Sequence, residues 1–329
     1  MKKVKIGFAD FWKDFKPKNN IFTQLLEQKY EVELSENPDY LFYSVFGYDH
    51  LKYDTLRIFY TGETIIPDFN ICDYGIGFNY MEFEDRYLRL PVYYLSTETY
   101  QKATEKHMQI NRNMNERKFC NFVYSNSGAN NNRELFYRML SQYKTVDSGG
   151  RYLNNIGKPV TDKLEFQSGY KFSIAFENSC SRGYTTEKLI DAFAAGTIPI
   201  YWGNPYVYRE FNEKAFINCH QYNSFEEVIG RVKEIDRDDS LFYSIISQPI
   251  HSKIESSIMN TNGIEKLADF LYAIFDKDIR DAARREATYH QIKYEERLKV
   301  IGKAHRFMRK IIPNSLLKDK LKSLLARSK

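Results

Sequence analysis

No stretch of this sequence reaches 18 consecutive apolar residues, so none of it reads as a membrane-spanning helix. The opening residues, MKKVKIGFADFWKDF, carry lysines but no apolar block, so no secretory leader is expected. Only four cysteines occur, Cys72, Cys120, Cys180 and Cys219. They are scattered, without the spacing of a zinc site or a disulfide framework. Asn-x-Ser/Thr acceptor sites are absent. The adjacent Cys219 and His220 cannot easily chelate one ion together. The D-x-D triplet Asp236-Arg237-Asp238 lies among Glu234 and Asp239 with no apolar strand beside it, and reads as a solvated charged loop. The expectation is therefore a protein without a metal site, in a reducing cytoplasmic setting.

Aromatic residues, by contrast, are plentiful: 26 Tyr and 24 Phe in 329 residues. Such a composition suits sugar faces and interfaces, or simply reflects an AT-rich genome. The 43% hydrophobic content is that of a folded chain with room for about two domains. Charge is unevenly placed. Residues 291–329 hold 12 Lys and Arg against 3 Asp and Glu, so the rest is mildly acidic within a total of +5. In that tail Leu316, Leu317, Leu321, Leu324 and Leu325 share a helical face ringed by Lys318, Lys320, Lys322 and Arg327. The pattern fits a helix lying on an anionic membrane surface, or one packed on the body or frayed in solvent.

Along the chain, strands are expected at residues 4–8, 30–34, 38–45, 56–61, 72–78 and 87–90, with a helix at 21–28. Residues 96–117 read as linker plus helix. A second α/β series follows: strand 118–124, helix 133–142, strand 144–148, strand 172–176, a helix from Thr185, strand 197–202, strand 215–218 and helix 224–235. From Ile264 helices dominate, with Leu267, Leu271, Ile274 and Phe275 on one face. The organisation expected is residues 1–115, 116–265 and 266–329. Its class is α/β, two Rossmann-like domains facing a cleft, plus C-terminal helices.

Residues 170–205, YKFSIAFENSCSRGYTTEKLIDAFAAGTIPIYWGNP, are the most informative. They form a β–loop–α–β pattern in which a polar loop leaves a strand's carboxyl end and feeds a helix. Free N–H groups and the helix dipole gather anions at such a place. Glu187 and Lys188 in the first turn suit a ribose diol beside a phosphate. Arg133 opens the helix after the Asn-rich loop 126–132. Its fork matches phosphate oxygens, although a solvated helix Arg looks the same in sequence. Glu63 follows a buried strand and Gly62. It reads as a base facing a cleft, or as a capping or salt-bridged Glu. Trp202 reads as core more readily than as a base-stacking residue.

FEN-x(5)-GY-x-TEK…A-x(3)-TIPIYWG resembles the donor-binding signature of the α-1,3-fucosyltransferases, glycosyltransferase family 10, with bacterial Helicobacter-like and animal Lewis-type members. FYTGE (59–63), DYGIGF (73–78), DRYLRLP (85–91), FCNFVYSNS (119–127) and DSGG (147–150) agree with it in order. The resemblance implies a GT-B-type fold, with C-terminal helices crossing back to the first domain, and an inverting transfer of L-fucose from GDP-β-L-fucose. The acceptor would be the 3-hydroxyl of N-acetylglucosamine in galactosyl-N-acetylglucosamine ends of lipopolysaccharide or capsule, giving Lewis-x-type products. Another GDP-sugar, an α-1,4 linkage, or a non-catalytic basic-tailed binding protein are the alternatives.

By the same resemblance Glu63 is the catalytic base. Arg133 and Lys188 hold the diphosphate, Glu187 the ribose, and Asn178 and Tyr184 the diphosphate or sugar. Ser125 and Asn126 are weaker candidates for the guanine pocket, and Glu177 is either a further motif contact or a Glu that ends a strand and caps a neighbouring turn. No cofactor is required, though Mg²⁺ or Mn²⁺ could stimulate, and nucleic acid is not a partner. The Glu-Ser-Pro common in relatives downstream of the base is TIIP here, and no heptad repeat precedes the tail. A bacterial enzyme peripheral at the inner face of the inner membrane is implied, held there by residues 290–329.

Overall fold

The computed structural model describes residues 1–105, 116–251 and 263–311. The chain divides into two compact units, Met1–Gly77 with Glu82–Leu88 and Ala268–Lys329, and Phe78–Met81 with Arg89–Leu267. Each is a Rossmann-like α/β unit, as the sequence leads one to expect. Residues 89–105, expected in the first domain, cluster with the second, where α2 (Thr97–Thr104) packs on α5 (Glu187–Ala194).

In the first unit, β1 (Lys3–Ala9), α1 (Ile21–Glu27), β2 (Glu31–Leu34), β3 (Tyr40–Tyr43), β4 (Leu56–Tyr60), β5 (Tyr74–Gly77) and β6 (Tyr87–Arg89) build a six-stranded sheet of order β2-β1-β3-β4-β5-β6. All residues of β3, β4 and β5 are buried, the mark of a parallel sheet covered on both faces. The end of α8 (Gly263–Phe275), α9 (Ile279–Ala282) and α10 (Tyr289–Ile311) complete this unit. Leu267, Leu271, Ile274 and Phe275 are buried as their spacing demands.

One polar network ties the C-terminal segment to the sheet. Arg57, 1% exposed inside β4, donates to Glu295 Oε1 at 2.9 Å. Asp73, equally buried, accepts from Arg57 N, from Arg284 N and Arg285 N, and from Arg285 Nε, all at 2.8–2.9 Å. Farther along α10, His305 rests on the Tyr48 ring at 5.4 Å and Arg306 pairs with Asp49 at 3.0 Å. Residues 295–306 are thus a helix packed on the body. Its outer face leaves Val300, Ile301 and Phe307 exposed, and Leu316, Leu317, Leu321, Leu324 and Leu325 lie outside the described residues.

The second unit holds β7 (Lys118–Phe122), α3 (Asn132–Ser141), β8 (Val146–Ser148), α4 (Lys163–Ser168), β9 (Tyr170–Phe176), α5, β10 (Ile198–Trp202), β11 (Ile217–Asn218), α6 (Phe225–Arg237) and α7 (Asp239–Ile246). Its sheet is parallel, in the order β11-β10-β9-β7-β8. The chain leaves β7 toward one edge and β9 toward the other, so the order reverses between these two strands. α5 buries Leu189, Ile190 and Phe193 and stops at Gly196, whose φ of +65° suits a residue without Cβ.

One expectation is corrected. Asp236-Arg237-Asp238 is not a solvated loop. Asp236 is buried within α6, accepting from Tyr143 Oη at 2.9 Å and pairing with Lys144, while Asp238 caps α7 by accepting from Leu241 N at 3.0 Å. The charged run is a helix end, where Lys144 and Tyr143 hold Asp236, followed by a helix start, where the Asp238 carboxylate is favourable.

Candidate active site

In an open parallel sheet, the crevice at the strand ends where the order reverses is where ligands bind. Here it lies between the loops that leave β7 and β9. Arg133, in the first turn of α3, points into it and is 1% exposed. Its guanidinium lies 4.0 Å from the centre of the Tyr124 ring. Nη2 donates to Asn178 Oδ1 at 2.7 Å and to Phe176 O at 3.2 Å, and Nη1 reaches Asn126 O at 3.4 Å. Nε is buried without a partner among the described residues. Tyr124, beneath it, is fixed by accepting from Phe176 N at 2.7 Å. Gly150 lets the neighbouring loop close on Tyr124, because a Cβ there would sit 1.9 Å from the Tyr124 carbonyl oxygen. A buried guanidinium with one orphan N–H and one stretched bond has donor capacity left for an anion.

Glu177 ends β9 and is 0% exposed. Its carboxylate accepts from Thr186 N at 2.7 Å and Thr186 Oγ1 at 2.6 Å, so it caps α5, as a turn-capping Glu would. Lys188 Nζ lies 2.9 Å from Thr186 Oγ1, 3.0 Å from Glu187 Oε1 and 3.4 Å from Glu177 Oε2. Burial raises the Glu177 pKa, and Lys188 only partly offsets it. For Lys188 burial acts downward, but Glu177 and Glu187 outweigh it and raise its pKa. For Glu187 burial acts upward, and Lys188 with Lys163 outweigh it and hold the carboxyl below its ordinary range.

The picture of open N–H groups at the start of α5 is thereby revised. Thr186 N is taken by Glu177, and the Glu187 carboxylate turns back on its own amide. Two of the amides at this helix start are thus met by acids of the chain itself. The side-chain cations add anion-binding capacity beside the amides that remain.

The structure thus brings Arg133, Asn126 and Asn178 together, and sets Glu187 and Lys188 side by side at the start of α5. Asn126 takes part through its backbone carbonyl, its own Oδ1 accepting from Gly128 N at 2.8 Å. Ser125 is exposed on the same loop. Tyr184 is buried, its ring edge-on to Phe78 at 5.1 Å, and so supports the loop from within. Trp202 packs against Phe176 and His220. Glu63 belongs to the first unit. It is exposed just past β4, with its N–H bonded to Thr61 Oγ1 at 3.0 Å and its carboxylate unpaired among the described residues. No group of three or more His, Cys, Asp or Glu able to hold a metal occurs among the described residues.

Sequence reasoning missed Tyr124, Thr186 and Asn204 as parts of this site. Asn204, fully buried, accepts from Gly183 N at 2.8 Å and donates to Thr185 Oγ1 at 3.1 Å. Nothing local distinguishes an Asn after Trp-Gly as a loop tether. For Glu177 the signal was its place at a strand end, nine residues before Thr186 at the start of the helix.

Comparisons with known proteins agree with this geometry. The model of the α-(1,3)-fucosyltransferase FucT N-terminal domain matches residues 6–96, and that of the glycosyltransferase family 10 (fucosyltransferase) C-terminal region matches residues 113–294. An α-(1,3)-fucosyltransferase FucT of Helicobacter pylori is 33% identical over 324 residues, 84% of this chain and 66% of that protein. The 4-galactosyl-N-acetylglucosaminide 3-α-L-fucosyltransferase 9 of Bos taurus is 34% identical over 137 residues, 40% of this chain and 36% of that protein. The chain therefore matches between about a third and two thirds of these relatives' own lengths. A crystal structure of an α1,3-fucosyltransferase with GDP-fucose aligns at a TM-score of 0.73 and 30% identity, over 87% of this chain and 94% of that one. Two family models in order, the second over more than half of the sequence, place this chain in glycosyltransferase family 10, the fucosyltransferases.

Proposed function

We propose that the chain transfers L-fucose from GDP-β-L-fucose, with inversion, to the 3-hydroxyl of N-acetylglucosamine in galactosyl-N-acetylglucosamine acceptors. The observation that carries this is the buried, partly satisfied Arg133 at the point where the sheet order reverses. The acceptor oxygen attacks the anomeric carbon as Glu63 takes its proton. The bond from that carbon to the diphosphate breaks, and its electron pair leaves on GDP. Arg133 and Lys188 stabilise the charge that develops there. With nucleotide bound, Glu187 turns to the ribose hydroxyls and frees Lys188 for phosphate. Asn178 steers the Arg133 fork.

GDP titration by calorimetry checks the cations. Lys188→Ala and Arg133→Lys are each expected to weaken GDP binding by about 1.5–3 kcal/mol, the range for hydrogen bonds to charged groups. The lysine keeps the charge while removing the fork, so a folded variant is expected. Unchanged affinity in both variants refutes the placement. Incubation of the full chain with a panel of GDP-sugars and N-acetyllactosamine, read by mass and by linkage, tests the reaction. A fucosylated product linked at the 3-hydroxyl supports the reading. Use of another sugar, a 4-linked product or no transfer overturns its corresponding part.

The same proposal places the chain at an anionic membrane surface through its basic C-terminal segment, with lipopolysaccharide or capsule chains as acceptors. Val300, Ile301 and Phe307 support it as exposed apolar residues beside Arg297, Lys299 and Lys303. Sedimentation with vesicles rich in anionic lipid is expected to carry down the full chain. Binding that survives removal of residues 307–329 together with V300S and I301S refutes the assignment.

A further inference from the structure

The loop from Asn178 to Thr186 carries Asn178 and Tyr184 and delivers Glu187 and Lys188 to the start of α5. Its place is set from both sides. On one side Asn204 Oδ1 accepts from Gly183 N at 2.8 Å. On the other lies Phe78–Met81, a segment from the N-terminal part of the sequence that belongs to this same unit. Phe78 meets the loop twice. Its ring is edge-on to Tyr184, and its carbonyl oxygen lies so close to Gly183 that a Cβ there would sit 2.4 Å away. Gly183 also has a φ of +85°, which suits a residue without a side chain.

Phe78 is held in turn by Arg89, which the proposed chemistry does not use. Arg89 Nε donates to Phe78 O at 2.9 Å, and Nη1 donates to Glu210 Oε1 at 2.8 Å. Glu210 is 2% exposed and accepts a second bond, from Tyr93 Oη at 2.9 Å. The Arg89 guanidinium lies 4.1 Å from the centre of the Tyr80 ring. Its Nη2 is buried without a partner among the described residues, a cost that fold stability alone does not explain. A planar fork seated on a buried carboxylate can hold a carbonyl with another N–H in one geometry, which the point charge of a lysine cannot do. We infer that Arg89, anchored by Glu210, is a positioning residue for the nucleotide. By holding the Phe78 carbonyl it sets the 178–186 loop, and with it Asn178, Glu187 and Lys188, without touching the ligand. The inference rests on the reading of those three residues as donor contacts.

GDP titration by calorimetry tests it without turnover. Cys180 gives a second readout, since it lies in the loop and is the exposed one of the four cysteines. R89K keeps a charge beside Glu210 and gives up the bond to Phe78 O. It is expected to weaken GDP binding by about three- to ten-fold, within the range for residues that act on a site without touching it. KM for GDP-fucose rises by the same factor while kcat stays within about two-fold, the sign of lost donor binding rather than lost chemistry. Alkylation of Cys180 by iodoacetamide becomes faster. E210Q takes the counterion from Arg89 and acts in the same direction. Y93F removes a donor from Glu210 but leaves Arg89 on Phe78, so thermal stability falls and GDP affinity stays. G183A presses on the same carbonyl from the loop side. R89K/G183A therefore loses less GDP affinity than the product of the two single losses. Unchanged GDP affinity and Cys180 reactivity in R89K, or in E210Q if R89K does not fold, overturn the inference. So does a loss in Y93F equal to that in R89K, which would reduce Arg89 to fold stability, and so do independent effects of R89K and G183A. If the chain binds GDP but fucosylates no acceptor, the transfer reading fails and the titrations still decide the role of Arg89. A wild-type chain that does not bind GDP overturns both.

Discussion

Glu63→Gln is expected to lower fucosyl transfer by about 10²–10⁴-fold, the usual contribution of a positioned general base. GDP affinity stays within a few-fold, because the nucleotide's charge is met by Arg133 and Lys188. The substitution keeps the size and the hydrogen-bonding outline of the side chain, and Glu63 is exposed, so folding is untouched. Its N–H bond to Thr61 Oγ1 comes from the backbone and survives. The stretch that follows, TIIP, holds no second acid before Asp68, so no acid adjacent in sequence can take over the proton. Single-turnover transfer measured with saturating GDP-fucose decides the matter. A rate within ten-fold of the wild type removes Glu63 from the reaction.

Glu295→Ala is expected to destabilise the first unit by about 3 kcal/mol, the lower end of the cost of leaving a buried charge without its partner. Arg57 is almost wholly enclosed and keeps only backbone carbonyls of Tyr53 and Ile71 once Glu295 is gone. The lower end applies because the Glu295 side chain is 18% exposed and water can partly compensate. Burial alone would raise the Glu295 pKa, but Arg57 and Lys299 outweigh it and draw it from 4.5 down to about 2. A depressed carboxyl stabilises the fold above its unfolded value and loses that contribution as pH falls through the folded one. Wild-type stability should therefore decline between about pH 4.5 and 2, and Glu295→Ala should flatten that part of the curve. Denaturant melts at pH 7 and across the acid range measure both effects. A variant within 0.5 kcal/mol of wild type at pH 7 (about the scatter of a surface substitution) would show that Arg57 does not depend on it. Tail truncations meant to probe membrane contact must begin beyond Arg306, or they remove this pair.

The parts legible in the sequence are those whose physics is local. Residues 172–202 declare a strand, a helix and a strand, because an apolar run, a first turn of Glu and Lys, and a stop at Gly196 follow one another without interruption. Arg133 is legible as the first strong cation after a turn-rich loop. What was missed depends on distance. Arg57 within LRIFY looks like an outward-facing strand residue, and its partner lies 238 positions away. The triplet 236–238 reads as a loop because its charge masks the pattern Leu241, Phe242, Ile245, Ile246 just after it. Those residues form the buried side of α7 that Asp238 caps. The capping of α5 by Glu177 could be suspected from the strand end, but its consequence, the Thr186 amide already occupied, needs the coordinates.

The division of the chain also sets a timetable for its synthesis. The second unit is encoded almost without interruption by residues 89–267, so a ribosome can release it ready to fold. The first must wait, since Glu295 is made only after the whole of the second unit. Until then Arg57 has no counterion and β4 a reason to stay open, so the part made first is the part finished last. A nascent chain stalled after residue 267 should show a protease-resistant later half and a digestible beginning, the reverse of the usual N-to-C progression.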